Sequence, residues 1–195
     1  MSYRVLSLYS GAGGMDRALP PGYEVAAFCE AAAYPRSVLA LRHPGIPIYQ
    51  SDEEVTRDRL KRDGIGPIHM VIGGPPCQEF SMAGRRLGAA GARNRFPEYL
   101  RIVRELRPVW VVAENVAGLR VADEGRYLGA VLWELADLGY RVGWGHWRAA
   151  DAGAPHRRER IFIVGRLGDP GELVACGSGH DQPGDVDRPD GCAGG

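Results

Sequence analysis

Between Val5 and Ala113 five short apolar runs recur, each followed at once by residues that stop regular structure. They are Val5-Leu6-Ser7-Leu8-Tyr9, Tyr23–Cys29, Ile46–Tyr49, Ile68–Ile72 and Val109–Ala113. Runs of this length, bounded by Gly, Pro, Asp or Ser, read as buried strands. Segments with helical character lie between them: Met15–Leu19, Pro35–Arg42, Glu53–Lys61 and a stretch opened by Pro97 and closed before Pro108. Parallel strands need such crossovers, so the alternation predicts an α/β chain with a doubly wound, mostly parallel sheet. A helix over Tyr127–Leu138 follows, with Gly139 as its C-terminal cap. Tyr140–Trp144 and Ile161–Val164 then read as an antiparallel hairpin that closes the sheet.

In such a sheet ligands meet the carboxyl ends of the strands, so the residues after each run are the candidates for chemistry. After the first comes Ser10-Gly11-Ala12-Gly13-Gly14, a turn that lets backbone approach a ligand closely. A dinucleotide fingerprint would need glycine at Asp16, which argues against a nicotinamide cofactor. Glu30 ends the second strand, where a carboxylate can accept from both hydroxyls of a ribose. Asp52 follows the third strand; it can serve a ligand or simply cap the helix that follows. The fourth strand runs into Gly73-Gly74-Pro75-Pro76-Cys77-Gln78-Glu79-Phe80-Ser81. Two glycines and two prolines force a turn that delivers a cysteine, and positive charge at a helix start beyond it would favour the thiolate. Arg85, Arg86, Arg93 and Arg95 are scattered among small residues beyond it, as expected of a mobile segment closing on phosphates. Glu114 ends the fifth strand, one strand from the cysteine loop. Arg157, Arg158 and Arg160 lie between the two hairpin runs.

Taken in order, these segments resemble the cytosine-5 DNA methyltransferase family, over roughly residues 3–165. The Pro76-Cys77 pair resembles its nucleophile motif, Glu114-Asn115-Val116 its glutamate motif, and Arg158 with Arg160 its arginine motif. The resemblance implies a Rossmann-like S-adenosylmethionine-dependent methyltransferase fold and a DNA substrate. It implies that Tyr9, Ser10, Gly11, Gly13, Gly14, Glu30, Asp52 and Pro76 bind S-adenosylmethionine, with Tyr9 where the family has a phenylalanine against the adenine. Asp52 would accept from the adenine amino group, and Gln78, Ser81, Arg85, Arg86, Arg93 and Arg95 would contact DNA. Cys77 would add to carbon 6 of a flipped-out cytosine, making carbon 5 nucleophilic, while Glu114 holds ring nitrogen 3 and the arginines hold the base carbonyl or phosphate. The chain departs from the family pattern at Ala32, Glu53 and His156, where a polar residue, an apolar residue and glutamine are usual.

Composition sets the remaining bounds. The 195 residues carry no net charge, yet from Arg166 onward six acids face two arginines. That tail carries −4 and residues 1–165 therefore +4, a mildly basic body suited to nucleic acid. The four cysteines form no paired motif, and the spacing of Cys176, His180 and Cys192 fits no common metal site. No run is long enough to span a bilayer, so a soluble protein of a reducing cytoplasm or nucleoid is expected. A catalytic domain over 1–166 and a disordered Gly/Asp/Pro-rich tail over 167–195 follow. Relatives in the family continue into a target-recognition region and a late segment completing the cofactor pocket, for which the polar tail leaves no room. Three readings stay open: a minimal methyltransferase with little sequence specificity, one half of a split enzyme whose partner chain supplies recognition, or an inactive nucleic-acid-binding remnant.

Overall fold

The computed structural model describes residues 2–77 and 94–168. One sheet of seven strands organises them: β1 (Tyr3–Leu8), β2 (Tyr23–Cys29), β3 (Ile48–Tyr49), β4 (Met70–Gly73), β5 (Trp110–Val116), β6 (Tyr140–Arg148) and β7 (Glu159–Leu167), in the order β3-β2-β1-β4-β5-β7-β6. The first five are parallel, and β7 runs antiparallel to both β5 and β6. Helices α1 (Ala33–Arg42), α2 (Arg57–Arg62), α3 (Phe96–Leu106) and α4 (Arg126–Asp137) connect them. The α/β expectation, the parallel sheet and the closing hairpin are all observed.

Register fixes where the chemistry falls. Tyr49 pairs with Cys29, Cys29 with Leu8, Leu8 with Gly73 and Gly73 with Ala113. These five residues form one row across the sheet. The segments holding Asp52, Glu30, the glycine turn, the cysteine loop and Glu114 all leave from that row. The row is tight at Gly73, where a Cβ would stand 2.7 Å from the carbonyl oxygen of Leu8.

The larger core lies on one face of the sheet. Tyr99, Leu100, Ile102 and Val103 of α3 and Tyr127, Leu128, Val131 and Leu135 of α4 are buried there, at the spacing of amphipathic helices. Tyr99 is completely buried, and its hydroxyl donates to the carbonyl of Val112 (3.1 Å). On the opposite face Val5, Met70 and Ile72 make a smaller cluster, against which Met15, Leu19, Trp110 and Val112 pack.

Three local expectations are corrected. The glycine turn opens a four-residue 3-10 turn, Met15–Ala18, rather than an α-helix. The helix expected over Glu53–Lys61 is divided into a 3-10 turn (Asp52–Glu54) and α2. Thr56 divides it, because its hydroxyl accepts from the amide of Arg59 and starts a new helix. The fifth strand extends to Val116, so Glu114 lies within the strand and not after it.

Two glycines give opposite expectations for stability. Gly73→Ala forces a Cβ against backbone in the central row and should cost about 1–3 kcal/mol, lowering Tm by several degrees. Gly129 is exposed inside α4 with nothing within 4 Å of a Cβ. Gly129→Ala should therefore raise stability by about 0.5–1 kcal/mol. Thermal unfolding of both variants checks the pair, and a neutral Gly73→Ala would contradict the crowding.

Candidate active site

The glycine turn leaves β1 through Tyr9, whose φ of +53° is left-handed. Holding a tyrosine there costs about 1–2 kcal/mol, so its surroundings must fix it. They do so through the side chain: its hydroxyl donates to Asp52 Oδ2 at 2.6 Å. Beyond it the amide of Gly13 donates to the carbonyl of Ser10 (3.0 Å), and Gly13 (φ +83°) fits against Leu39. Glu30 closes the turn onto β2, since Oε2 accepts from the amide of Gly11 and Oε1 from that of Ala32, both at 2.8 Å. Each carboxylate oxygen keeps a second lone pair for an outside donor.

Asp52 is buried and already engaged. Besides Tyr9, Arg95 donates to it twice, through Nε to Oδ2 (2.8 Å) and through Nη2 to Oδ1. Burial opposes ionisation of this carboxyl, but hydrogen bonds from Arg95 and Tyr9, together with the guanidinium charge, hold it below the ordinary carboxylate range. The capping role is overturned, because Ser51 caps the 3-10 turn and Thr56 caps α2. Arg95, expected to contact DNA, is the ion-pair partner of Asp52.

The cysteine loop is held from three sides. Asn115, buried on β5, donates its amide to the carbonyl of Pro75 (2.8 Å). The backbone amide of Arg95 donates to the carbonyl of Pro76 (3.0 Å), and Cys77 forms an isolated antiparallel bridge with Asn94. Asn94 Oδ1 in turn accepts from the hydroxyl of Tyr127 (2.8 Å). The Cys77 thiol is half-buried; burial pushes it up to about 11, and a hydrogen bond with Tyr127 only partly opposes this. The helix start expected just beyond Cys77 falls outside the described residues, and the next described helix, α3, begins at Phe96.

Glu114 stands directly behind the loop. Its Oε2 lies 3.1 Å from where a Cβ of Gly74 would be. Its Oε1 is 2.6 Å from Arg160 Nε and 3.6 Å from Arg158 Nη2. The antiparallel register of β5 and β7 brings them together, setting Val116 opposite Arg160. Arg160 is largely covered and Arg158 largely exposed. The arginine pair thus meets Glu114 first, leaving Arg158 the freer of the two.

The edge therefore gathers Tyr9, Ser10, Gly11, Gly13, Gly14, Glu30, Asp52, Pro76, Cys77, Glu114, Arg158 and Arg160. Gln78, Ser81, Arg85, Arg86, Arg93 and the tail from 169 lie outside the described residues. Sequence reasoning missed the supports: Asn94, Asn115 as a clamp on Pro75, and Tyr127. Only Asn115 carried a local signal, a buried-strand amide beside Glu114. Among the described residues no cluster of His, Cys, Asp and Glu could hold a metal ion, and no helix is long and apolar enough to cross a membrane.

Known proteins share this arrangement of sequence and fold. The Type II methyltransferase M.AquIA of Picosynechococcus sp. is 38% identical over 187 residues, which cover 86% of this chain and 74% of that protein. The Type II methyltransferase M1.HphI of Haemophilus parahaemolyticus is 35% identical, covering 89% of this chain but 48% of its own length. The fold is that of the Dnmt2 methyltransferase of S. pombe, with a TM-score of 0.68 at 24% identity, over 88% of this chain and 53% of the other. A DNMT2 mutant of Spodoptera frugiperda gives 0.69 at 21% identity, over 95% and 61%. The chain thus spans 74% of M.AquIA but less than half of M1.HphI and of other curated relatives, such as 39% of the Type II methyltransferase M.PspPI of Psychrobacter sp.. A model of the C-5 cytosine-specific DNA methylases matches residues 3–176, and the chain belongs to that family.

Proposed function

We propose that this chain transfers a methyl group from S-adenosylmethionine to carbon 5 of cytosine in DNA, through a covalent adduct of Cys77. The observation that carries the reading is the convergence of the Cys77 loop with Glu114 and Arg160 at one point of the sheet edge. The cofactor reading is supported by the glycine turn, where a Cβ at Gly11 or Gly14 would meet nothing within 4 Å, and by the spare acceptor capacity of Glu30. When bound, the sulfonium supplies an electrophilic methyl group.

The chain's own residues do the rest. Burial holds the Cys77 thiol well above the ordinary cysteine range, so on this reading binding of the flipped base supplies the stabilisation that the resting site lacks. Arg158 is the cation most free to turn from Glu114 toward the base or its phosphate. As the sulfur bonds to carbon 6, Glu114 hydrogen-bonds or protonates ring nitrogen 3 and absorbs the charge pushed into the ring. Carbon 5 then takes the methyl group. Loss of its proton and elimination of the Cys77 sulfur restore the aromatic ring.

A DNA duplex bearing 5-fluorocytosine blocks that last proton loss. With cofactor it should become covalently trapped on the wild-type chain and not on Cys77→Ser. Equal trapping by both proteins would refute the assignment of the nucleophile.

A second reading, a partner chain that supplies target recognition, is favoured by one surface. A largely parallel sheet is ordinarily covered on both faces. On the face opposite α3 and α4, Val164 is 38% exposed and Trp147 50%, beside the partly exposed Val112 and Phe162. Arg141, Arg160 and Arg166 share that face through the strand register. Arg160 is already paired with Glu114, so the exposed Arg166 is the cation this face offers, and the fitting occupant is an apolar-faced helix with an acidic flank. A synthetic helix with leucines on one face and glutamates on the other should bind the purified chain, and Val164→Glu should abolish binding. Equal binding of a lysine-flanked version, or dimerisation of the chain through this face, would defeat the reading.

A further inference from the structure

Arg95 joins the cofactor side of the sheet edge to the nucleophile side. Its guanidinium takes both oxygens of Asp52, after β3, and Nη2 also reaches Glu53 Oε1 at 3.3 Å. Its amide holds the carbonyl of Pro76, one residue before Cys77. Its carbonyl lies 3.2 Å from the hydroxyl of Tyr9, after β1. The preceding residue, Asn94, bridges Cys77, and the following residue begins α3. Three separate strand exits therefore meet on one side chain and its backbone.

The acceptor count at Asp52 shows what this does to a ligand. A carboxylate offers about four acceptor positions. Tyr9 and Arg95 Nε occupy Oδ2, and Arg95 Nη2 occupies one position on Oδ1. An incoming amino group finds a single position on Oδ1, alongside the guanidinium. That property is not used if Arg95 merely contacts phosphate.

Resting on the function proposed above, we propose that Arg95 is a positioning residue of the cofactor site, which keeps Asp52 an ionised acceptor for the adenine amino group and fixes the Pro76-Cys77 step by the same contacts. Cofactor occupancy and placement of the nucleophile are then linked through one residue. The charged and titratable groups around Asp52 are Tyr9, Cys29, Arg95, Arg101 (through the Asp52 carbonyl) and its neighbours Glu53 and Glu54. Arg95 is the cation among them that pairs with its carboxylate.

The test uses Arg95→Gln and the conservative Arg95→Lys, with thermal unfolding to confirm that both fold. Calorimetry with S-adenosylhomocysteine should show binding weakened about ten- to a hundredfold in Arg95→Gln and partly restored in Arg95→Lys. The rate of 5-fluorocytosine trapping at saturating cofactor should fall too, because the Pro76-Cys77 step is loosened. The pH profile separates this role from a structural one. Asp52 sits below its ordinary pKa, so wild-type affinity should stay level as pH falls from 8 to 5. Without the guanidinium, burial raises that pKa, and the affinity of Arg95→Gln should drop as pH falls through it. Full affinity at every pH in Arg95→Gln, with a salt dependence of DNA binding reduced by about one contact, would make Arg95 a phosphate ligand and overturn the inference. Equal loss in the Lys and Gln variants with a level pH profile would also overturn it. Absence of both cofactor binding and trapping in the wild type would instead sink the proposed function.

Discussion

The register of five parallel strands is the constraint on which everything else depends. Tyr49, Cys29, Leu8, Gly73 and Ala113 are consecutive partners across the sheet, so the segments after them share one edge by geometry alone. Gly73 shows how little slack this row has, with room for no more than a hydrogen against the Leu8 carbonyl. A one-residue slip of β4 would turn its side chains to the wrong faces and carry the cysteine loop away from Glu114. The buried clusters on the two faces enforce the register, since Val71 belongs to one core and Met70 and Ile72 to the other.

On that frame the resting site is electrostatically satisfied. Glu114 is paired with Arg160, Asp52 with Arg95 and Tyr9, and Glu30 with two backbone amides. Burial pushes the Cys77 thiol up to about 11, and the hydrogen bond with Tyr127 only partly offsets it. Such a site is stable in the absence of substrate and weakly reactive. On the proposed function, nucleophilicity would arise when a flipped base brings its carbonyl, ring nitrogen and phosphate into the space around Glu114 and the arginines. Coupling reactivity to substrate in this way protects a thiol from adventitious chemistry.

The sheet and the outline of the site were legible because their signals are local. Apolar runs bounded by Gly, Pro and Asp mark all seven strands, the five parallel ones within three residues at either end, and the hairpin strands prove longer than their apolar centres. The row of candidate residues followed from the rule that α/β sheets bind at their carboxyl edge. What escaped was either long-range or polar. The partnership of Asp52 with Arg95 spans 43 residues and that of Asn94 with Tyr127 spans 33, distances over which no sequence period exists. The break before α2 depends on Thr56 outcompeting helix continuation, a hydrogen bond that composition does not reveal. The surroundings of Cys77 were not legible either, because Asn94 and Tyr127, which meet it, lie 17 and 50 residues further along the chain.

The central claim is that Cys77 activates carbon 5 of cytosine by covalent addition at carbon 6. The most direct measurement follows the atom that this route must expel. DNA carrying tritium at carbon 5 of cytosine should release it to water when the wild-type chain acts with S-adenosylmethionine, one tritium for each methyl group incorporated, and Cys77→Ser should release none. Methyl incorporation into cytosine without tritium release would place the methyl group on a different atom and contradict the account.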